Sequence, residues 1–201
     1  MSLLIGLTGS IGSGKTLATS MFRELGAHII DADEICSYLV KPGCPALQEI
    51  AGTFGDEILL EDHSLDRSKL AHIVFNDPEK KKRLESILHP KVFAEETKIY
   101  EEIKKKEPNA LVIIDAALMF ESGHYKEMDK TVVVSCDCEK QIQRVMKRSH
   151  LDRAEVKKRL RSQMSLEEKT DLADYILDNS SSVGALRIGV ENLYQKLKTL
   201  P

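Results

Sequence analysis

Leu3-Leu4-Ile5-Gly6-Leu7-Thr8-Gly9-Ser10-Ile11-Gly12-Ser13-Gly14-Lys15-Thr16 decides the fold. An apolar run closes directly on glycines, the pattern of a buried strand ending in a tight loop, and a helix opens from about Gly14. Gly9 to Thr16 satisfies G-x-x-x-x-G-K-[ST] without a gap, in the strand–loop–helix context that gives this motif its meaning. Glycines let backbone N–H groups turn inward around a diphosphate, and the helix N-terminus adds partial positive charge. Lys15 can reach the β and γ phosphates, while the Thr16 hydroxyl can take one position on Mg2+. A nucleoside triphosphate is therefore expected on Gly9, Ser10, Gly12, Ser13, Gly14, Lys15, Thr16 and the adjoining Leu17.

Working outward, Met21, Phe22 and Leu25 give the helix an apolar face, and Gly26 stops it. His28-Ile29-Ile30 is a second buried strand ending in Asp31-Ala32-Asp33, which completes a βαβ unit. From Asp33 to about Lys106 the pattern is nearly all helical, with Asp77-Pro78-Glu79 as a helix start. The sheet resumes at Leu111–Asp115 and Thr131–Val134, both apolar on two faces as strands of a covered parallel sheet are. A helical stretch from about Glu139 to Asp171, a last strand over Ala173–Asp178 and an amphipathic helix carrying Leu186, Val190, Leu193 and Leu197 close the chain. The expected class is α/β, a doubly wound parallel five-stranded sheet in one domain, with helical segments inserted at about 34–108 and 139–170.

Composition narrows the function. The 201 residues carry 29 basic against 32 acidic side chains and a net charge of −3, so no polyanion is attracted by overall charge and no nucleic-acid partner is expected. Trp is absent, which removes the usual stacking platforms for single strands. The apolar runs Ala110–Ile114 and Ala116–Phe120 fall far short of the ~20 residues of a membrane helix. The N-terminus runs straight into the glycine-rich loop without a basic region, so no cleavable signal peptide and no membrane partner are expected and the reading is cytoplasmic. Cys36, Cys44, Cys136 and Cys138 fit no zinc spacing and read as reduced thiols, and the histidines show no helical metal pair. A monomer or small homo-oligomer is expected.

The absence of Asp-x-x-Gly and of Asn-Lys-x-Asp argues against a GTPase switch, and the helical insertions suggest a small-molecule kinase that excludes water by closing. Asp31 and Asp33, two apart at a strand end, share a face beyond the carboxyl edge of the sheet, where one could take the proton of an attacking hydroxyl. The plainer reading makes Asp33 a helix cap. Asp115 ends a strand where a second carboxylate near Mg2+, acting through water, is expected; a turn residue is its alternative. Arg144 and Arg148, one helical turn apart, suit charge on a transferring phosphoryl group, with Arg159, Arg161 and Gln163 following. Lys80–Arg83 and Lys104–Lys106 read as solvated faces, and His89-Pro90 as a kink.

These residues together resemble the dephospho-CoA kinase family from Leu4 to about Leu186. Thr8–Thr16 looks like its phosphate loop, and Ile30-Asp31-Ala32-Asp33 followed by Leu39-Val40-x-Pro42-Gly43 is the discriminating block. Further similar stretches are Leu65-Asp66-Arg67, Leu84-Glu85 with His89-Pro90, Leu118–Glu121, Gln143-Arg144 with Arg148, Arg159 with Gln163, and Ala173–Ile176 leading to Asp178-Asn179. The resemblance implies transfer of the ATP γ-phosphoryl group to the ribose 3′-hydroxyl of dephospho-CoA, with Mg2+ as cofactor. It implies Asp33 as base, Lys15, Arg144 and Arg148 as charge stabilisers, and Thr16 at the metal. It places the acceptor on the 34–108 insertion with Asp31, Arg67, His89 and Leu118 as contacts, the lid at 139–170, and Asn179 near the ATP base. Two positions depart from the family pattern: Ala116-Ala117 stand where a proline is common, and Ser180 stands where a glycine commonly follows Asp-Asn. A kinase of the same fold acting on a nucleoside monophosphate, and a nucleotide-dependent binding protein, are the other readings the motif permits.

Overall fold

The computed structural model describes residues 1–75 and 77–200. In chain order the elements are β1 (Leu3–Thr8), α1 (Lys15–Glu24), β2 (His28–Asp31), α2 (Ala32–Leu39), α3 (Pro45–Phe54), α4 (Arg67–Phe75), α5 (Pro78–Lys106), β3 (Leu111–Asp115), β4 (Lys130–Ser135), α6 (Cys138–Ser149), α7 (Arg153–Arg161), α8 (Leu166–Leu172), β5 (Tyr175–Asp178) and α9 (Val183–Lys198). The strands form one five-stranded parallel sheet in the order β2-β3-β1-β4-β5. β1 pairs with β3 and with β4, and β4 with β5. The chain leaves β1 toward β2 and leaves β3 toward β4, in opposite directions, so the carboxyl ends of neighbouring β1 and β3 mark the switch point where ligands of such sheets bind.

Two compact units divide the chain: Met1–Ile30 with Tyr100–Pro201, and Asp31–Ile99. In the first, Ile5, Leu7, Ile113, Val132 and Val134 of the sheet are buried with Ala18, Met21 and Phe22 of α1 and Leu186, Val190, Leu193 and Leu197 of α9. Every residue of β3 is buried, as expected of a strand covered on both faces. In the second, Val40, Ile50, Ile58, Leu70 and Ile87 form a separate core. Pro90 lies inside α5 without ending it. Among the described residues no helix is long and apolar enough to cross a membrane.

The stretch from about 139 to 171, which reads as a helical pair, holds three helices. His150 takes a left-handed conformation, φ 53°, and ends α6. Asp152 and Ser165 then start α7 and α8 as capping boxes with Glu155 and Glu168. The last strand begins at Tyr175 rather than Ala173, with the Asp174 side chain turned back on β4. Its carboxylate accepts hydrogen bonds from Lys130 Nζ at 2.9 Å, Thr131 N at 2.9 Å and Thr131 Oγ1 at 3.0 Å, fastening β5 at the sheet edge.

Burial pushes the Asp174 carboxyl up, but the hydrogen bonds from Lys130 and Thr131 outweigh it and hold the group below its ordinary value. A depressed folded pKa contributes stability that is present above the unfolded value and lost as pH falls through the folded one. The melting-temperature difference between wild type and Asp174→Asn should therefore be flat above about pH 5 and shrink below about pH 4. Equal differences at acid and neutral pH would exclude this role.

Candidate active site

The loop after β1 is shaped by two glycines that nothing larger could replace. Gly12 has φ 80° and Gly14 φ 96°. A side chain at Gly12 would meet the Gln141 carbonyl at 2.7 Å and Val145 Cγ2 at 2.8 Å, and one at Gly14 would run into the Asn179 amide. Gly14 is the N-cap of α1, and no side chain caps that end, which leaves the helix N–H groups available to an anion.

A loop that turns its N–H groups inward turns carbonyls outward, and those must be satisfied. Asn179, buried after β5, donates its Nδ2 to Ser13 O at 2.8 Å. Arg144 Nη1 reaches the Gly12 and Ser13 carbonyls at 3.5 and 3.4 Å, and its Nη2 donates to Asn179 O at 3.1 Å. Cys136 Sγ donates to the same Asn179 carbonyl at 3.4 Å. Burial pushes the Cys136 thiol up, against the pull of the Arg144 guanidinium beside it, so the sulfur keeps its proton. Arg144 thus lies behind the loop, on its backbone. Ser13 Oγ is buried and has no hydrogen-bond partner among the described residues.

Lys15 and Asp115 occupy the switch point. Lys15 Nζ donates to Asp115 Oδ1, and Thr19 Oγ1 lies 2.6 Å from Asp115 Oδ2 and 3.0 Å from the Lys15 carbonyl. The pair is largely buried, and Leu7 lies opposite Asp115 in the ladder, so β1 and β3 fix the carboxylate relative to the loop. Thr16 is exposed on the first turn of α1. The tip of the loop reaches α6 and α7: Ile11 packs on Ile142, Val145 and Val156, and its N–H donates to Gln163 Oε1 at 3.1 Å. Arg148, Arg159 and Arg161 are exposed. Ser180 needs no glycine, because its φ is not positive, and its hydroxyl accepts the Asp137 N–H at 2.9 Å at the start of α6.

In the second unit, the cap falls on Asp31 and not on Asp33. Asp31 Oδ1 accepts the N–H groups of Asp33 and Glu34 at 2.9 and 3.0 Å, so α2 begins at Ala32 and Asp33 lies in its first turn. The plain reading of Asp33 as a cap is thereby corrected: a helix has one N-cap, and Asp31 fills it. The Cys36 thiol on α2 is pushed up by burial and by the Asp33 carboxylate and lowered by the Arg67 guanidinium. His89 stacks on Phe93 with ring centroids 5.6 Å apart. Leu118, in the first unit, is exposed on the turn after β3.

Sequence reasoning missed Thr19, Cys136 as a partner of Arg144, and Lys169. The signal for Thr19 was its place one turn after Lys15 on the same helix face. Lys169 gave none, since Glu167-Glu168-Lys169 reads as a solvated run.

The chain matches the CoaE family model, described as dephospho-CoA kinase, over residues 3–184. A dephospho-CoA kinase of Aquifex aeolicus is 40% identical over 197 residues, covering 98% of each chain. Among solved structures, a Thermus thermophilus protein is similar with a TM-score of 0.81 at 33% identity, and a dephospho-CoA kinase from Campylobacter jejuni with 0.73 at 31%; each covers 98% of both chains.

Asn179→Ala removes the 2.8 Å donor to Ser13 O and leaves that carbonyl only the longer contact from Arg144, a loss of about 0.5–1.5 kcal/mol. A nucleoside triphosphate measured by calorimetry should bind roughly 2- to 12-fold more weakly. Unchanged affinity in a variant that melts like wild type would remove Asn179 from the loop's support.

Proposed function

Because the chain belongs to the dephospho-CoA kinase family, its reaction is transfer of the ATP γ-phosphoryl group to the 3′-hydroxyl of dephospho-CoA, and we propose that Asp33 is the base and Lys15 the principal charge stabiliser. The observation that carries the phosphate side of the assignment is the Lys15–Asp115–Thr19 arrangement at the switch point, beside a loop with open N–H groups, while Asp33 is supported by its release from the capping role that Asp31 fills. Such a loop binds phosphates, and the ammonium beside it, paired with Asp115, would reach their outer end once they are bound.

Among the described residues no group of three or more His, Cys, Asp or Glu could hold a metal by itself. The oxygen donors here suit Mg2+, which keeps several waters and binds through one or two protein groups together with substrate phosphates. Thr16 would hold it directly and Asp115 through water. When bound, Mg2+ neutralises charge on the phosphate oxygens.

The hydroxyl proton of the acceptor goes to the Asp33 carboxylate as the ribose oxygen bonds to the γ-phosphorus. The bond from that phosphorus to the bridging oxygen breaks, and ADP leaves with the electron pair. Lys15 tracks the charge that develops on the phosphoryl oxygens. Arg148, exposed on α6, supplies a guanidinium from the 139–170 segment acting as the lid. Arg144 acts first on the loop backbone, and its charge reaches the phosphates through that geometry. Residues 34–108 hold dephospho-CoA, with Asp31, Arg67 and His89 as contacts and Leu118 on the wall after β3. The Asn179 segment borders the ATP base.

Two experiments test this reading. ADP release with Mg-ATP should depend on dephospho-CoA and yield CoA, and should not occur with nucleoside monophosphates or without acceptor; turnover with a monophosphate alone would overturn the acceptor assignment. Asp33→Asn should keep ATP affinity within about threefold while turnover falls about 10²- to 10⁴-fold, the usual contribution of a general base. Wild-type turnover in that variant would remove Asp33 from the chemistry.

A further inference from the structure

Lys169 on α8 is 0% exposed, although it follows two acidic residues in a run that reads as a solvated face. Its Nζ donates to the Ala117 carbonyl at 3.1 Å and pairs with Glu121 Oε1 at 2.9 Å. The same Glu121 oxygen accepts the Met164 N–H at 2.9 Å, so the segment leading into α8 and the helix itself grip one carboxylate. Ala117 and Glu121 bracket the turn that leaves β3, and Leu118, 37% exposed, stands between these two anchors while Met119 and Phe120 point into the core.

The nucleotide side of that turn has its own supports. Asp115 is held by the β1 ladder, by Lys15 and by Thr19, and Ala116 N donates to Leu7 O at 3.1 Å. Thr8 Oγ1 adds a bond to the Ala117 carbonyl at 3.2 Å. Beyond Ala117 the turn closes on itself, with Ser122 N donating to Leu118 O at 2.9 Å and Ser122 Oγ to Met119 O at 3.1 Å, and Lys169 ties its two ends, at Ala117 and Glu121, to α8. A buried ammonium carries three donors, and here two of them meet acceptors on either side of one exposed apolar residue.

We propose that Lys169 is a positioning residue for the acceptor: it fixes the Ala117–Glu121 turn and thereby the place of Leu118, and it leaves the ATP side untouched. The proposal rests on the reading of Leu118 as part of the acceptor wall. Its signature is a split between the substrates, because a general loss of structure would weaken both.

Steady-state ADP release by the full-length enzyme, with each substrate varied in turn, provides the test. Lys169→Met should raise KM for dephospho-CoA about tenfold or more and leave KM for ATP within about twofold. Because the single variant leaves Glu121 without its cation and can fail to fold, Lys169→Met/Glu121→Leu is measured beside it; this variant removes the stranded charge yet still lacks the link from α8 to Ala117, where only Thr8 then donates, so the same split is expected. Equal rises in both KM values, or an acceptor KM restored in the double variant, would overturn the role. Leu118→Ala separates this proposal from the reading beneath it. A rise in acceptor KM with Leu118→Ala and none with the Lys169 variants overturns the positioning role alone, whereas no rise in any variant overturns both. A rise with the Lys169 variants and none with Leu118→Ala overturns Leu118 as the group being placed.

Discussion

An anion-binding loop has a backbone problem before it has a chemical one. Each N–H turned toward a phosphate leaves a carbonyl facing the protein, and a buried carbonyl without a donor costs about 1–3 kcal/mol. Asn179 and Arg144 resolve this from outside the motif, one at the end of β5 and the other on α6, meeting at the Ser13 carbonyl and at each other. The order β1-β4-β5 makes this possible, since it brings the segment after β5 to the rear of the loop after β1. The left-handed glycines, the open helix terminus and the Lys15–Asp115 pair all presuppose a loop held in that shape.

The elements legible in the sequence were those fixed by local chemistry. The strand–glycine–helix pattern at Leu3–Thr16 gave β1 and α1, and doubly apolar runs gave β3 and β4, because a buried parallel strand has no polar face to confuse the pattern. The boundaries that failed were those decided by side chains reaching outside their own element. Asp174 leaves β5 to bond Thr131, and three helices stand where the pattern reads as a helical pair, because capping boxes at Asp152 and Ser165 each start a helix.

At the site the same division holds. Lys15, Gly12 and Gly14 are legible from motif spacing and Asp115 from its place at a strand end, and the structure brings Lys15 and Asp115 into contact. Asp31 and Asp33 were singled out together, but spacing could not say which one the helix would use; the hydrogen bonds give the cap to Asp31 and leave Asp33 inside the first turn. Arg144 reads in the sequence as a charge for the phosphoryl group, and its geometry shows a donor to carbonyls, a use that composition does not encode. Lys169 was invisible because burial of a lysine depends on acceptors some fifty residues away in sequence, at Ala117 and Glu121.

Ile11 belongs to two structures at once. It is the tip of the phosphate loop, and it is also a packed member of the Ile142–Val145–Val156 cluster, with its amide tied to Gln163. α6 and α7 are further joined by Arg153 and Glu139 through paired bonds of 2.5 and 2.6 Å. A change in the loop's freedom is therefore a change in that cluster's freedom, and the coupling is reciprocal by thermodynamic necessity. The amide protons of α7 belong to a cooperative unit whose opening is set in part by what occupies a loop more than a hundred residues earlier in the chain.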